Sequence, residues 1–333
     1  MKIAVVILNW NGEALLERFL PSVMEHSKGA EIHVVDNAST DGSIAFLQEH
    51  YPTIGIVQND SNGGFAKGYN DGLKSIEADI YCLLNSDVEV TPNWLEPIKE
   101  TFEKFPEAAI IQPKILDLKQ KDHFEYAGAA GGFIDMLGYP FCRGRIFQSI
   151  EKDEGQYDDI KEVFWATGAC MFIKHEVFWQ LHGFDEDYFA HQEEIDLCWR
   201  AKNAGHKVYY VGLSSVYHLG GSTLSNMNPK KTYLNFRNSL YSITKNLPRK
   251  KAFPIILLRL LLDAIAAARF IFQLKLDHCW AILKAHFSFY AHFGKMNKKR
   301  EKANFILKYY LVTSIVWSYF VHHIKNFNIL VKD

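Results

Sequence analysis

Asn85, Asp87 and Glu89 place three oxygen-bearing side chains at alternate positions, directly after the apolar residues 80–84. A buried strand that ends in a short acidic turn delivers its carboxylates to a sheet edge. Hard divalent cations such as Mg2+ or Mn2+ take oxygen ligands and share them with substrate phosphates. Asp87 and Glu89 are therefore candidate metal ligands, with Asn85 beside them. A plain polar turn after a buried strand has the same composition.

A second acidic cluster, Glu193-Glu194-Ile195-Asp196, opens a helical pattern. The helix dipole favours negative charge there, which accounts for the cluster without any function. Adjacent carboxylates also repel, so one of them can be held partly protonated and poised as a base. His218 stands at a strand end before Gly220-Gly221-Ser222 and is a candidate ligand, with an ordinary structural histidine as the alternative. Asp36 ends another short strand, where helix capping explains Ser39, Thr40 and Asp41 but not the aspartate, which could accept from a nucleobase or ribose. Asn62-Gly63-Gly64-Phe65-Ala66-Lys67 opens a helix whose N-terminus suits phosphate, or is a simple glycine turn. Arg237 could clamp phosphate or lie on a solvated helix face.

These residues need a scaffold that brings strand ends together. Residues 3–8, 32–35, 54–57, 80–84 and 108–111 read as short apolar strands. Helical patterns at 13–25, 41–49, 65–76 and 94–105 alternate with them. That alternation predicts an α/β fold with a mostly parallel sheet covered on both faces. Ligands in such sheets sit beyond the carboxyl ends of the strands, where every polar cluster above falls. Residues 115–160 lose the pattern and suggest loops or a hairpin, an insertion on the acceptor side. Residues 163–174 read as a strand, 195–203 as a helix and 207–211 as a strand. Long helices are expected from about residue 232.

The chain of 333 residues, 48% hydrophobic and 14% aromatic, has ample material for a core. Its net charge of -1 hides an asymmetry. Residues 229–333 carry 19 Lys and Arg against 4 Asp and Glu, whereas residues 1–228 carry 18 against 34. The acidic part suits metal and polar-substrate chemistry; the basic, aromatic part suits an anionic surface. Five scattered cysteines without a CxxC pair exclude a zinc framework and point to reduced thiols in the cytoplasm. The first apolar run is too short for a signal peptide.

Taken in order, the motifs resemble those of the family-two glycosyltransferases, especially the bacterial rhamnosyltransferase-like branch. The likeness spans residues 3–240 and rests on Val6-Ile7-Leu8-Asn9-Trp10-Asn11, Val35-Asp36-Asn37-Ala38-Ser39-Thr40-Asp41-Gly42-Ser43, Asn62-Gly63-Gly64-Phe65-Ala66-Lys67-Gly68-Tyr69-Asn70 and Leu83-Leu84-Asn85-Ser86-Asp87. It continues through Thr167-Gly168-Ala169-Cys170-Met171, Gly183-Phe184-Asp185-Glu186, Glu193-Glu194-Ile195-Asp196-Leu197-Cys198 and His218-Leu219-Gly220-Gly221. The resemblance implies a GT-A domain over residues 1–240, a nucleotide-sugar donor and a divalent metal. It implies that Asp36 recognises base and ribose with Asn9 nearby, and that Asn62, Gly63, Lys67, Asn85 and Arg237 lie on the nucleotide side. Asp87, with His218, would hold the metal; Glu89 either compensates for Asn85, where the family has a first Asp, or simply points away. Glu194, or else Glu193, would be the catalytic base, with Glu193-Glu194 standing where the family has Glu-Asp. The implied reaction is an inverting transfer of a sugar such as rhamnose from a UDP- or dTDP-sugar to a surface-glycan or lipid-linked acceptor. Another sugar, galactofuranose or an N-acetylhexosamine, is the nearest alternative. A non-catalytic membrane-bound scaffold, motivated by Asn85, is the second.

Residues 241–333 are expected to form a helical membrane-association region. Residues 253–293 and 305–324 are apolar and aromatic, but charges interrupt the first run every few residues, which argues against a span. The second is broken only by Lys308 over residues 305–321, near the lower limit of length. Basic clusters at 245–251 and 295–302 flank these runs, a pattern suited to peripheral attachment on the inner face of the cell membrane. A helical packing or homodimer surface is the competing assignment. Nucleic acid is not expected, because the aromatic residues sit in apolar runs rather than in a basic groove.

Overall fold

The computed structural model describes residues 1–220, 228–300, 305–306 and 308–332. Gly221 and Ser222 of the glycine turn, and Lys302 of the second basic cluster, lie outside the described residues. The first half alternates strand and helix: β1 (Ile3–Asn9), α1 (Glu13–His26), β2 (Glu31–Asp36), α2 (Ser43–His50), β3 (Gly55–Gln58), α3 (Gly64–Gly72), β4 (Ile80–Asn85), β5 (Val88–Val90), α4 (Glu96–Lys104) and β6 (Ala108–Asp117). The region without a clear pattern forms four short strands, β7 (Gly132–Ile134), β8 (Pro140–Cys142), β9 (Arg145–Ile146) and β10 (Ser149–Ile150), which make an antiparallel sheet of their own. Then come β11 (Ile160–Val163), β12 (Cys170–Lys174), α5 (His175–Gln180), α6 (Glu193–Asn203) and β13 (Lys207–His218). The chain ends in α7 (Pro229–Asn246), α8 (Arg249–Phe272), α9 (Leu276–Lys299), α10 (Ile315–Phe320) and α11 (Phe327–Leu330).

The main sheet runs β11-β13-β6-β12-β4-β1-β2-β3, with β5 paired to β13. Strands β3, β2, β1 and β4 are mutually parallel. Their carboxyl ends therefore share one edge. β12 runs antiparallel between β4 and β6, so its first residues meet that same edge. β6 and β13 run parallel to each other and bring Asp117 and His218 there. Ile3, Val5, Val6 and Ile7 are buried on both faces of β1. Each such side chain contributes roughly 1.5–3 kcal/mol on leaving water. A strand buried on both sides has no polar face to alternate, which is why these strands read as continuous apolar runs.

Two expected elements differ. Residues 163–174 are two strands, not one. Between β11 and β12, Trp165 bridges to Gly132 and its indole N–H donates to Phe133 O, so the chain crosses to the small sheet before re-entering the main one. Val163 to Thr167 and Ala169 to Ile173 are all buried, so no change of hydrophobicity marks the break. The apolar stretch 305–324 is also not one helix. Among its described residues, Leu311 and Val312 pair with the backbone of Ile134 and Met136, and only Ile315–Phe320 is helical.

The division expected at residue 240 falls inside α7. Leu240, Tyr241 and Ile243 are buried in one core with Phe289, Met296, Tyr309 and Phe327 from further along the chain. Within α8, Arg259 and Asp263 are buried. Arg259 donates to Leu137 O and Ser239 Oγ, while Asp263 accepts from His286 and from the Tyr139 hydroxyl.

Candidate active site

The nucleotide side is built at the ends of β1, β2 and β3. Parallel pairing sets Asn9 opposite Asp36. Asn9 Nδ2 donates to Asp36 Oδ1 at 3.0 Å and to Ser39 Oγ at 3.2 Å, and the other Asp36 oxygen accepts from Ser39 N at 2.9 Å. Asn9 Oδ1 is buried without a partner. A Cβ at Gly12 would lie 2.4 Å from that oxygen, so the glycine permits the close turn after β1. Asn37 donates to Asn62 Oδ1 and Gly64 O and accepts from Asn59, an amide network that fastens β2 and the loop after β3 to α3.

Gly63 and Gly64 bring backbone close to protein. Gly64 has φ +82, and a Cβ there would meet Phe189 O at 2.6 Å. Phe65 N donates to Phe189 O at 2.8 Å, and Ala66 N donates to it as well. Those two amides are capped by the Phe189 carbonyl and do not serve the phosphate role expected of this helix end. Lys67 pairs with Asp71 at 2.5 Å, and both line an open cavity of ≈ 350 Å³ with Gln58, Asn59, Asp60 and Ser61.

The acidic turn after β4 meets the end of β13. Antiparallel pairing sets Val88 opposite His218, and Leu219 N donates to Asp87 O. Asp87 and His218 are both buried, with His218 Nε2 3.1 Å from Asp87 Oδ1. Nδ1 of the same ring lies within ion-pair distance, 3.3 Å, of Glu125 Oε2 but outside hydrogen-bond geometry, and that oxygen accepts from Ala127 N. Burial opposes charge on the ring, but the two carboxylates outweigh it and push the imidazolium up to about 10. Glu89 forms a solvent-facing ion pair with Lys121 at 2.8 Å. The acidic neighbour of His218 is Glu125. It lies in the stretch where the alternating pattern is lost, and nothing in its local sequence marks it.

Among the described residues no group of three or more His, Cys, Asp or Glu is arranged to hold a metal alone. Asp87 and His218 nonetheless provide one carboxylate and, once the ring gives up its proton to an incoming cation, one imidazole side by side. This donor set fits a Mg2+ or Mn2+ ion whose remaining positions come from a diphosphate and water, because such ions use few protein ligands.

The second carboxylate pair opens α6. It follows Phe189, His191 and Gln192, all with positive φ. Asn238 holds this strained loop by donating to the carbonyls of Tyr188, Ala190 and His191. Arg237 donates to the carbonyls of Asp187 and Tyr188, to Tyr233 Oη and to Asn238 Oδ1. Its guanidinium is engaged with the loop and its neighbours rather than lying on a solvated helix face. Glu193 Oε2 and Glu194 Oε2 are buried without hydrogen-bond partners. Burial raises Glu194 to about 7 against the opposing pull of nearby backbone N–H groups. Burial, then the neighbouring Glu194, raises Glu193 well above the usual carboxylate range. Asp196 behaves oppositely. Burial resists its ionisation, but Lys245 and Arg200, at 2.9 and 2.8 Å, hold it well below the usual range.

Glu194 reaches the sheet edge through Gly168. A Cβ on Gly168 would lie 3.9 Å from Glu194 Cβ, and the next residue, Ala169, accepts from Asn85 N. The Cβ of Glu194 thus lies one residue from the backbone that pairs with Asn85.

The sheet, the convergence of its strand ends and the C-terminal helices make this a GT-A glycosyltransferase fold. The model of the family described as "Glycosyl transferase family 2" matches residues 4–181, and the chain belongs to that family. A curated relative, the N-acetylglucosaminyl-diphospho-decaprenol L-rhamnosyltransferase of Mycobacterium tuberculosis, is 26% identical over 64% of this chain and 75% of its own. S. aureus TarS 1-349 in complex with UDP-GlcNAc is similar at TM-score 0.55 and 14% identity, over 90% of this chain and 84% of that one. GalNAc-T7 with UDP, GalNAc and Mn2+ is similar at TM-score 0.54 and 20% identity, over 65% of this chain; the chain spans 43% of that structure.

Proposed function

We propose that this protein is a metal-dependent, inverting glycosyltransferase that moves rhamnose from a UDP- or dTDP-sugar to a surface-glycan or lipid-linked acceptor. The observation that carries the reading is Glu194, whose Oε2 is buried without a hydrogen-bond partner and whose Cβ lies beside Gly168, next to the residue that pairs with Asn85. Glu194 takes the proton from the acceptor hydroxyl as its oxygen attacks the anomeric carbon. The new C–O bond forms as the bond to the nucleoside diphosphate breaks, on the opposite face, so configuration inverts. Asp36, oriented by Asn9, receives base and ribose, with Asn85 on the same side. Mg2+ or Mn2+, held by Asp87 and His218, would neutralise charge on the departing diphosphate.

Rhamnose is favoured by the mycobacterial relative, which is named for L-rhamnosyl transfer to a decaprenol-linked acceptor. An N-acetylhexosamine is the second reading, favoured by the fold shared with a UDP-GlcNAc complex. No helix among the described residues is long and apolar enough to cross a membrane. The exposed apolar side chains of α8 and α9 support a peripheral position on the inner face of the cell membrane, reached by a lipid-linked acceptor. A panel of UDP- and dTDP-sugars, assayed for metal-dependent donor hydrolysis and for transfer to polyprenyl-diphosphate sugars, tests the reading. Turnover of dTDP-rhamnose supports it. Absence of any metal-dependent hydrolysis marks a scaffold instead.

A further inference from the structure

We infer that the outward face of α8, with the turn into α9, seats in an anionic lipid leaflet. This rests on the membrane reading above and names the surface that makes the contact.

Helix α8 departs from an ordinary surface helix, because its buried face carries two charges beside Ala252, Ile256 and Ala267 while large apolar side chains stay exposed. An ordinary one turns its apolar stripe to the core and its charges to water. Here Arg259 and Asp263 point inward, satisfied by Leu137 O, Ser239, His286 and Tyr139. Phe253, Leu257, Leu261, Ile265 and Phe272 point outward at helical spacing; Leu261 and Ile265 are 65% and 66% exposed, and Phe272 is 88% exposed. Leu274 in the turn is 87% exposed, and Trp280 and Phe287 extend the surface onto α9. From Phe253 to Phe272 the helix presents this stripe over about 30 Å. Scattered exposed leucines are normal, whereas a continuous stripe of this length marks a contact surface.

Charge selects the occupant. The two helices are antiparallel, so the start of α8 and the end of α9 lie together, and Arg249, Lys250 and Lys298 are exposed there. Residues 229–333 carry 19 basic against 4 acidic side chains. A second copy would bring two such surfaces of like sign together. An anionic leaflet complements them, and each nearby Lys or Arg adds to the attraction. Lys284 over the Trp280 ring and Arg269 over the Phe320 ring, at 5.5 and 5.3 Å, have the form of side chains that bury their stems and keep their heads in water.

The contact would also orient the active site. At the end of α9, Lys295 pairs with Asp187 at 2.6 Å, and Lys299 pairs with Asp185 and Asp187 at 2.5 and 2.7 Å. Those aspartates begin the loop that Arg237 and Asn238 hold ahead of Glu193 and Glu194. The hairpin in the leaflet is thus tied to the segment carrying the base.

The test is flotation of the full chain with vesicles of equal parts phosphatidylglycerol and phosphatidylcholine, and with phosphatidylcholine alone. The expected result is partition onto the anionic vesicles that high salt loosens only in part. Leu261→Glu/Ile265→Glu, at exposed positions, should keep the far-UV spectrum and melting temperature and lower partitioning at least ~10-fold. Wild-type partitioning by this variant would overturn α8 as the contact while leaving membrane attachment standing. A full chain that ignores both vesicle types, and forms a dimer that the variant dissociates, would overturn both.

Discussion

His218 Nε2 lies 3.1 Å from Asp87 Oδ1 although 131 residues separate them, because β13 pairs with β5 directly beyond the turn that follows β4. Both side chains are buried at the strand edge. On the proposed reading, their proximity makes metal binding a property of the pair. Asp87→Ala and His218→Ala should each abolish Mn2+-dependent binding of UDP or dTDP while the protein stays folded. Calorimetric affinity unchanged in both variants would remove this pair from the metal site.

Glu125 holds the other side of the same ring. A carboxylate behind a ligating histidine fixes its tautomer and orientation, and its loss typically costs about 10–100-fold in metal affinity. Glu125→Gln should therefore weaken Mn2+ binding by that range with donor nucleotide present. Titration of Mn2+ followed by electron paramagnetic resonance reads the change without any turnover.

Loss of a general base costs ~10²–10⁴-fold in rate. Glu194→Gln should keep donor affinity and fall by that factor in single-turnover transfer. If Glu194→Gln turns over normally and Glu193→Gln does not, the base is Glu193.

The acidity of Glu194 sets a pH limb. A base must be deprotonated, and burial raises this carboxyl from 4.5 to about 7. Turnover should fall roughly tenfold per unit as pH drops below about 7. Stability runs the other way. Between 4.5 and about 7 the folded state binds the proton that the unfolded state has lost. This group therefore stabilises the fold most below 4.5, and its contribution is lost as pH rises through about 7. A pH–rate profile paired with melting temperatures over the same range separates the two effects.

Asp196 is a structural charge. It accepts from Lys245, Arg200 and Asn246, with its side chain wholly buried. Removing one partner of a buried ion pair leaves the others uncompensated, at a cost of about 3–5 kcal/mol. Asp196→Asn should destabilise the protein by that order in urea unfolding. Because the native pairing holds this carboxylate below its usual 3.8, its contribution is present above that pH and is lost as pH falls below it.

Apolar runs, turn residues and the helical spacing between them determined the α/β architecture, because strands buried on both faces and helices with one apolar face leave a periodic record in the chain. The same record located Asp36, Asp87, Glu193, Glu194 and His218, since each stands where an apolar run stops or a helix begins. The partners of these residues were decided by tertiary structure. Glu125 beside His218, Phe189 O on the end of α3, Lys121 on Glu89 and the loop under Arg237 are all contacts across distant segments. Such contacts leave no local periodicity to read. The direction in which α8 faces was decided there too: its composition is the same whether leucine or arginine points inward, and only the packing of Arg259 and Asp263 against Tyr139, Ser239 and His286 turned the leucines outward.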